Sequence, residues 1–118
     1  MKLLLLAFTL VLTIPGKDKL TGRWETKTSE KGNVTRVVFK GDNIMEGYIN
    51  KKPFVSGTYS FNEADSVISF VDNSCNGMRA IYKIMFYSNS DSLRFKVIMD
   101  SCGDRKNGMQ RLVMGKLP

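Results

Sequence analysis

The chain contains no histidine, which removes the commonest general base at neutral pH and the commonest zinc ligand. It has two cysteines, Cys75 and Cys102, too few for a structural zinc site without a third soft ligand. No phosphate-binding loop, dinucleotide fingerprint or Gly-x-Ser-x-Gly elbow is present. These absences point away from an enzyme, and neither cofactor nor metal is expected. Asp72, Asp100 and Asp104 flank the cysteines and could meet as a carboxylate cluster or weak calcium site, but turn chemistry is the commoner reason for aspartate at such places. Long apolar runs are scarce as well. The one long run extends from Leu3 to Ile14, 12 residues interrupted by Thr9 and Thr13, whereas a bilayer-spanning helix needs about 20.

Lys2 before this run, with Pro15, Gly16 and Lys17 after it, gives the layout of a secretory signal peptide cleaved near Gly16. Residues 1–16 are thus expected to leave, and residues 17–118 to form one domain that is secreted or periplasmic, without a stable membrane anchor. Ile14 departs from the small residue favoured near a cleavage site. No cysteine precedes Cys75, so no lipid is expected on an N-terminal cysteine. The remaining 102 residues carry 17 basic and 11 acidic side chains, a net charge of +6. Adjacent basic residues occur only as Lys51-Lys52 and Arg105-Lys106, read as solvated loop charge. Nucleic acid is not an expected partner, because no basic stripe with interleaved aromatic residues exists. Attraction to anionic lipid or polysaccharide is the better use of the excess charge.

An exported chain meets oxidising surroundings, so Cys75 and Cys102 are expected to form one disulfide, the alternative being two independent buried thiols. The loop spans 27 positions, for which chain entropy gives about 3.5 kcal/mol of stabilisation. From Thr21 onward, short runs of Val, Ile, Phe, Tyr and Thr alternate with Gly, Asn, Asp, Ser and Pro. They predict eight strands near residues 21–28, 34–40, 43–50, 54–61, 66–71, 79–87, 92–99 and 108–115, joined by hairpin turns. No long apolar helical stripe appears. Period-two alternation places Thr35, Val37 and Phe39 on one face, with Val55, Gly57, Tyr59 and Phe61, then Ile68 and Phe70, and then Leu93, Phe95, Val97 and Met99. The third strand is ambiguous between its two rows, and the sixth leans toward Tyr82, Ile84 and Phe86 facing inward. Eight sequential antiparallel strands are best satisfied by closure into an all-β, eight-stranded up-and-down meander barrel, whose first and last strands pair.

Gly22-Arg23-Trp24 opens the first strand and Arg111 falls in the predicted last one. Here the sequence resembles the lipocalin-like (calycin) superfamily, in particular compact lipocalin-like domains of bacterial envelopes. The resemblance implies that Gly22 and Trp24 begin the barrel, that Trp24 plugs its closed end, and that Arg111 packs across the indole ring. The Thr-Asp-Tyr motif of longer members is missing around Ser88 to Asp91. By the same resemblance the rim opposite Trp24 is the open mouth. Both cysteines follow odd-numbered strands and so emerge at that rim, where a disulfide would staple two mouth loops into a partial lid.

Two functions from different classes follow. In the first, Phe39, Tyr59, Phe70, Phe95 and Met99 line a cavity for one small lipophilic molecule. Strands of about eight residues rise roughly 26 Å before tilt, so any cavity should be small, and the same side chains can instead fill the interior. In the second, the core is filled and the outside, including Val34, Val38 and Ile98, binds an envelope protein as an inhibitor or assembly factor.

Overall fold

Side chains branched at Cβ and aromatic rings suit a pleated surface that is wet on one face only. In the computed structural model, which describes residues 18–118, they form eight antiparallel strands. These are β1 (Gly22–Thr26), β2 (Thr35–Phe39), β3 (Ile44–Ile49), β4 (Lys52–Asn62), β5 (Val67–Asp72), β6 (Arg79–Tyr87), β7 (Ser92–Asp100) and β8 (Val113–Lys116). They close in sequence order into an up-and-down barrel, with β1 pairing β8. The proposed signal segment, residues 1–16, lies outside the described residues. The turn between β3 and β4 places Asn50 and Lys51 at φ 51° and 72°, the left-handed pair that a two-residue hairpin requires for its twist to match the strands.

Inward rows follow the alternation. Met45 and Gly47 settle the ambiguous third strand, and Tyr82, Ile84 and Phe86 face the interior of the sixth. The core is unevenly filled. Its closed end is packed by Leu20, Trp24, Phe39, Tyr59, Phe86 and Leu93. Toward the mouth the same inward rows continue as Thr26, Thr35, Gly47, Val55 and Gly57, side chains too small to meet across the barrel. Gly57 serves a second purpose, since a Cβ there would lie 2.0 Å from the carbonyl oxygen of Val71 on β5.

The closed end is plugged by the segment before β1. Asp18 Oδ1 accepts hydrogen bonds from the backbone N–H of Leu20 and Thr21 at 3.0 and 2.8 Å. This turn drives the fully buried Leu20 beneath the barrel, where its carbonyl accepts from Trp24 Nε1 at 2.8 Å.

Three expectations need correction. The segment assigned to the start of the last strand is instead a helix, α1 (Gly103–Arg111), which precedes a short β8. Its sequence carries two glycines and no apolar stripe, so tertiary contacts decide its conformation rather than propensity. Arg111 therefore ends a helix, is exposed, and does not cross Trp24. Lys116 of β8 takes that position, its Nζ 5.5 Å from the centre of the indole ring. Finally, Met99 is 47% exposed and lines no cavity. A β-bulge is the reason: Ile81 pairs with Met99 while Tyr82 pairs with Val97, so Ile98 is an extra residue and the inward phase passes from Val97 to Asp100.

Candidate functional site: an apolar cavity with a buried ionic end

The taper leaves a cavity of about 1180 Å³, counted with its openings at the mouth and along the short β8. With those openings included it exceeds the range of about 300–1,000 Å³ usual for small-molecule sites, and is larger than strand length suggested. Phe39, Phe70 and Phe95 line it, joined by Val37, Met45 and Ile68. Tyr59 lies below it. Its ring meets Phe39 edge-on with centroids 5.2 Å apart, and its hydroxyl donates to the Lys40 carbonyl at 2.7 Å.

Helix α1 lies across the mouth end, with Met109 and Leu112 packed on the core. The Cys75–Cys102 disulfide ties the β5–β6 link to the residue that precedes α1. The helix thus forms a covalently held partial roof over one side of the mouth. The opposite rim is open and includes Phe54, 62% exposed. A second bulge places it there, because Gly47 pairs with Val55 and Tyr48 with Pro53, leaving Phe54 unpaired.

Beneath the helix sits a buried ionic cluster. The side chains of Arg105, Asp72 and Asp100 are 6%, 4% and 0% exposed. Asp100 Oδ1 accepts from Arg105 Nη2 at 2.9 Å and from the Cys102 N–H at 3.0 Å. Asp100 Oδ2 accepts from Arg105 Nε at 3.0 Å and from the Tyr82 hydroxyl at 2.6 Å. Arg105 also donates to Asp72 Oδ1 at 3.2 Å and to the Met78 carbonyl at 2.9 Å, and its guanidinium lies 5.3 Å over the Phe70 ring. Burial opposes ionisation of Asp100, yet hydrogen bonds from Arg105, Tyr82 and Cys102 outweigh it and hold the carboxyl below the usual aspartate range. The Tyr82 phenol is pushed well above its ordinary value, first by burial and then by its bond to Asp100.

Asp72 differs from Asp100 in one respect that matters chemically. Its Oδ1 accepts from the N–H and hydroxyl of Ser74 at 3.0 and 2.6 Å as well as from Arg105. Among the described residues nothing donates to its Oδ2, and Asp72, Ser74 and Arg105 all line the cavity. The cavity therefore has apolar walls and one polar end, where Asp72 Oδ2 has no donor among the described residues.

Sequence reasoning placed Asp72, Asp100 and Asp104 near one another without finding Arg105 as their centre. Asp104 instead sits exposed in the first turn of α1. Among the described residues no group of three metal-ligating side chains forms. Arg105 was read as solvated because it neighbours Lys106. The missed signal was topological, since Asp72 and Asp100 end two inward rows at the rim from which Arg105 projects.

No protein-family model matches the sequence, and no curated protein matches it. Among solved structures, the chain is similar to an NMR structure of a protein from Bacteroides uniformis ATCC 8492. The two are 22% identical and superpose with a TM-score of 0.56 over 83% of this chain and 88% of that one. This likeness speaks for the fold alone, here an eight-stranded closed barrel.

Proposed function

We propose that this chain is an exported, lipocalin-like binding protein that holds one small lipophilic molecule in its barrel and performs no catalysis on it. The observation that carries the reading is the large cavity walled by Phe39, Phe70 and Phe95. Apolar walls of this kind gain about 25 cal/mol for each Å² of apolar ligand surface removed from water. The polar end suits a neutral head group: Asp72 Oδ2 offers an acceptor, and the Arg105 guanidinium has one Nη1 hydrogen not used by Asp72, Asp100 or Met78, the pairing that an alcohol hydroxyl satisfies. Export is supported by the disulfide together with the leader-like layout of residues 1–16. Among the described residues no helix is long and apolar enough to cross a membrane.

The test is mass spectrometry of an organic extract of protein purified from its native compartment, with titration of the stripped protein by a hydrophobic fluorescent dye. A co-purifying lipophile near one per chain, or saturable dye binding displaced by a long-chain alcohol, is the expected result. Ile49→Trp, which narrows the mouth half, should weaken dye binding at least tenfold while leaving the melting temperature near native. An empty extract with no saturable dye binding refutes the reading.

A second reading, a partner-binding module, is favoured by one observation. Ile98 and Met99 are 56% and 47% exposed side by side on the outer face of β7, with Ile81 paired to Met99. Cross-linking from Ile98→Cys in the native compartment would distinguish it, since a solely monomeric pattern removes its support.

A further inference from the structure

We propose that the open rim of the barrel is a docking face for an anionic lipid surface, a role that goes beyond ligand capture and does not depend on it. In an up-and-down barrel successive links alternate between the two ends, so loop charges can be assigned to an end by topology. The mouth links carry Lys27, Lys31, Lys51, Arg105, Lys106 and Arg111 against Glu30 and Asp104, a net charge of +4. The links of the closed end carry Lys40 against Asp42, Glu63, Asp65 and Asp91, a net charge of −3. Strand ends and the plug modify these sums: the mouth gains Lys52 and Arg79 against Asp72 and Asp100, which bind Arg105, and stays at +4, while the closed end gains Lys19, Arg23 and Lys116 against Asp18 and comes to −1. The barrel is therefore a charge dipole along its own axis, and an anionic plane will orient it mouth first.

The geometry of the rim adds a second reason. Lys27, Lys31, Lys51 and Lys52 are exposed, and among the described residues none of them enters an ion pair. The two links that carry them are fastened together. Asn50 Nδ2 donates to Asn33 Oδ1 at 2.9 Å, and the Val34 N–H donates to Asn50 Oδ1 at 2.9 Å. The links that carry these lysines are thereby held together on the side of the mouth where the bulge exposes Phe54. An apolar ring within a cluster of free ammonium groups matches a bilayer interface, with cations at the phosphates and the ring among the upper acyl chains. A soluble polysaccharide offers the charge but nothing to cover Phe54. Because Phe54 also lines the cavity, docking here would open the interior toward the acyl layer.

The test is co-sedimentation of the protein, freed of residues 1–16, with vesicles of phosphatidylcholine alone or mixed equally with phosphatidylglycerol. Binding is expected to the anionic vesicles only, and to fall away as salt rises from about 0.05 to about 0.5 M. The pair Lys51→Gln and Lys52→Gln should lower the partition coefficient by about twentyfold, roughly fivefold per cation. Arg94→Gln with Lys96→Gln makes the same change in net charge on the outer wall of β7, and should alter binding less than twofold. Phe54→Ser should weaken it further, and the emission of Phe54→Trp should shift to the blue on anionic vesicles alone. Equal binding to both vesicle types, or an equal loss from the wall pair, overturns the proposal. Binding to dextran sulfate without binding to vesicles also overturns it, and assigns the rim to polysaccharide.

Discussion

Arg105→Met tests the ionic end of the cavity, because it removes the charge while keeping much of the volume. In the native chain Asp100, with 0% of its side chain exposed, has Arg105 as its only cationic partner among the described residues. Removing one member of a buried pair costs about 3–5 kcal/mol, since the remaining charge is neither solvated nor compensated. With a urea dependence of about 1–1.5 kcal/mol per molar, a 4 kcal/mol loss lowers the unfolding midpoint by about 3 M. The acid-side pH dependence should also weaken. In the native protein the depressed Asp100 carboxyl contributes stability above its unfolded value of 3.8, lost as pH falls below it. Without Arg105, burial is opposed only by the hydrogen bonds from Tyr82 and Cys102, so the carboxyl rises relative to native and the stability it contributes above its unfolded value shrinks. The variant should therefore gain stability relative to native as pH drops from 7 toward 4. Adding Asp100→Asn to Arg105→Met removes the stranded charge and should recover at least half of the loss. Urea unfolding at pH 7 and pH 4.5 measures all of this with the disulfide kept oxidised. A loss under about 1 kcal/mol at pH 7, or a variant profile parallel to the native one, refutes the reasoning.

Reduction of Cys75–Cys102 reopens a loop of 27 positions and should cost about 3.5 kcal/mol, measured as the difference between urea curves with and without reductant. Gly57→Ala places a methyl 2.0 Å from the Val71 carbonyl and 2.7 Å from the Asp72 Cα, so β4 and β5 must part. A loss of more than about 3 kcal/mol is expected, and near-native stability would show that the strands can yield. On the alkaline side the raised Tyr82 phenol contributes stability that is complete below its unfolded value of 10.0 and is lost as pH rises above it. Tyr82→Phe should therefore flatten the stability profile above pH 10, by chemical denaturation at fixed ionic strength.

The residues differ in how legible they were. Phe39, Phe70 and Phe95 sit in uninterrupted period-two rows, and alternation alone places them inside. Met99 belongs to the same written row, but the bulge at Ile98 carries no glycine or proline to announce it, and one inserted residue reverses everything beyond it. The disulfide followed from compartment and number. Helix α1 did not, because Gly103, Asn107 and Gly108 weaken helical propensity and no polar side chain caps its first turn. What orders it is tertiary: the disulfide at Cys102, the five-donor guanidinium of Arg105, and Met109 and Leu112 against the core. The cavity was underestimated for a related reason. Strand length bounds the barrel's height, whereas its empty volume depends on how residue size is graded along each inward row. Trp24 to Thr26, Phe39 to Thr35 and Tyr59 to Val55 all descend toward the mouth.

That gradient and the axial charge division have one origin in the meander. Each inward row is read in opposite directions by successive strands, so a large-to-small order in β1 must be written small-to-large in β2 to leave the same end empty. The chain does this with Trp24 before Thr26 and Thr35 before Phe39, and repeats it with Met45 before Gly47 and Gly57 before Tyr59. The links follow the same parity in part, basic after β1, β3 and β7, acidic after β4 and β6, and neutral after β2 and β5. Neither pattern is visible as a run or a motif, because consecutive members alternate in sequence. On β5 to β7 the inward rows carry Phe70, Tyr82 and Phe95 toward the mouth instead, so the graded order is a property of β1 to β4. The graded rows and the link charges together place the open, apolar volume and the unpaired cations at one end, which is the arrangement that a barrel needs if it loads a lipophile from an anionic surface.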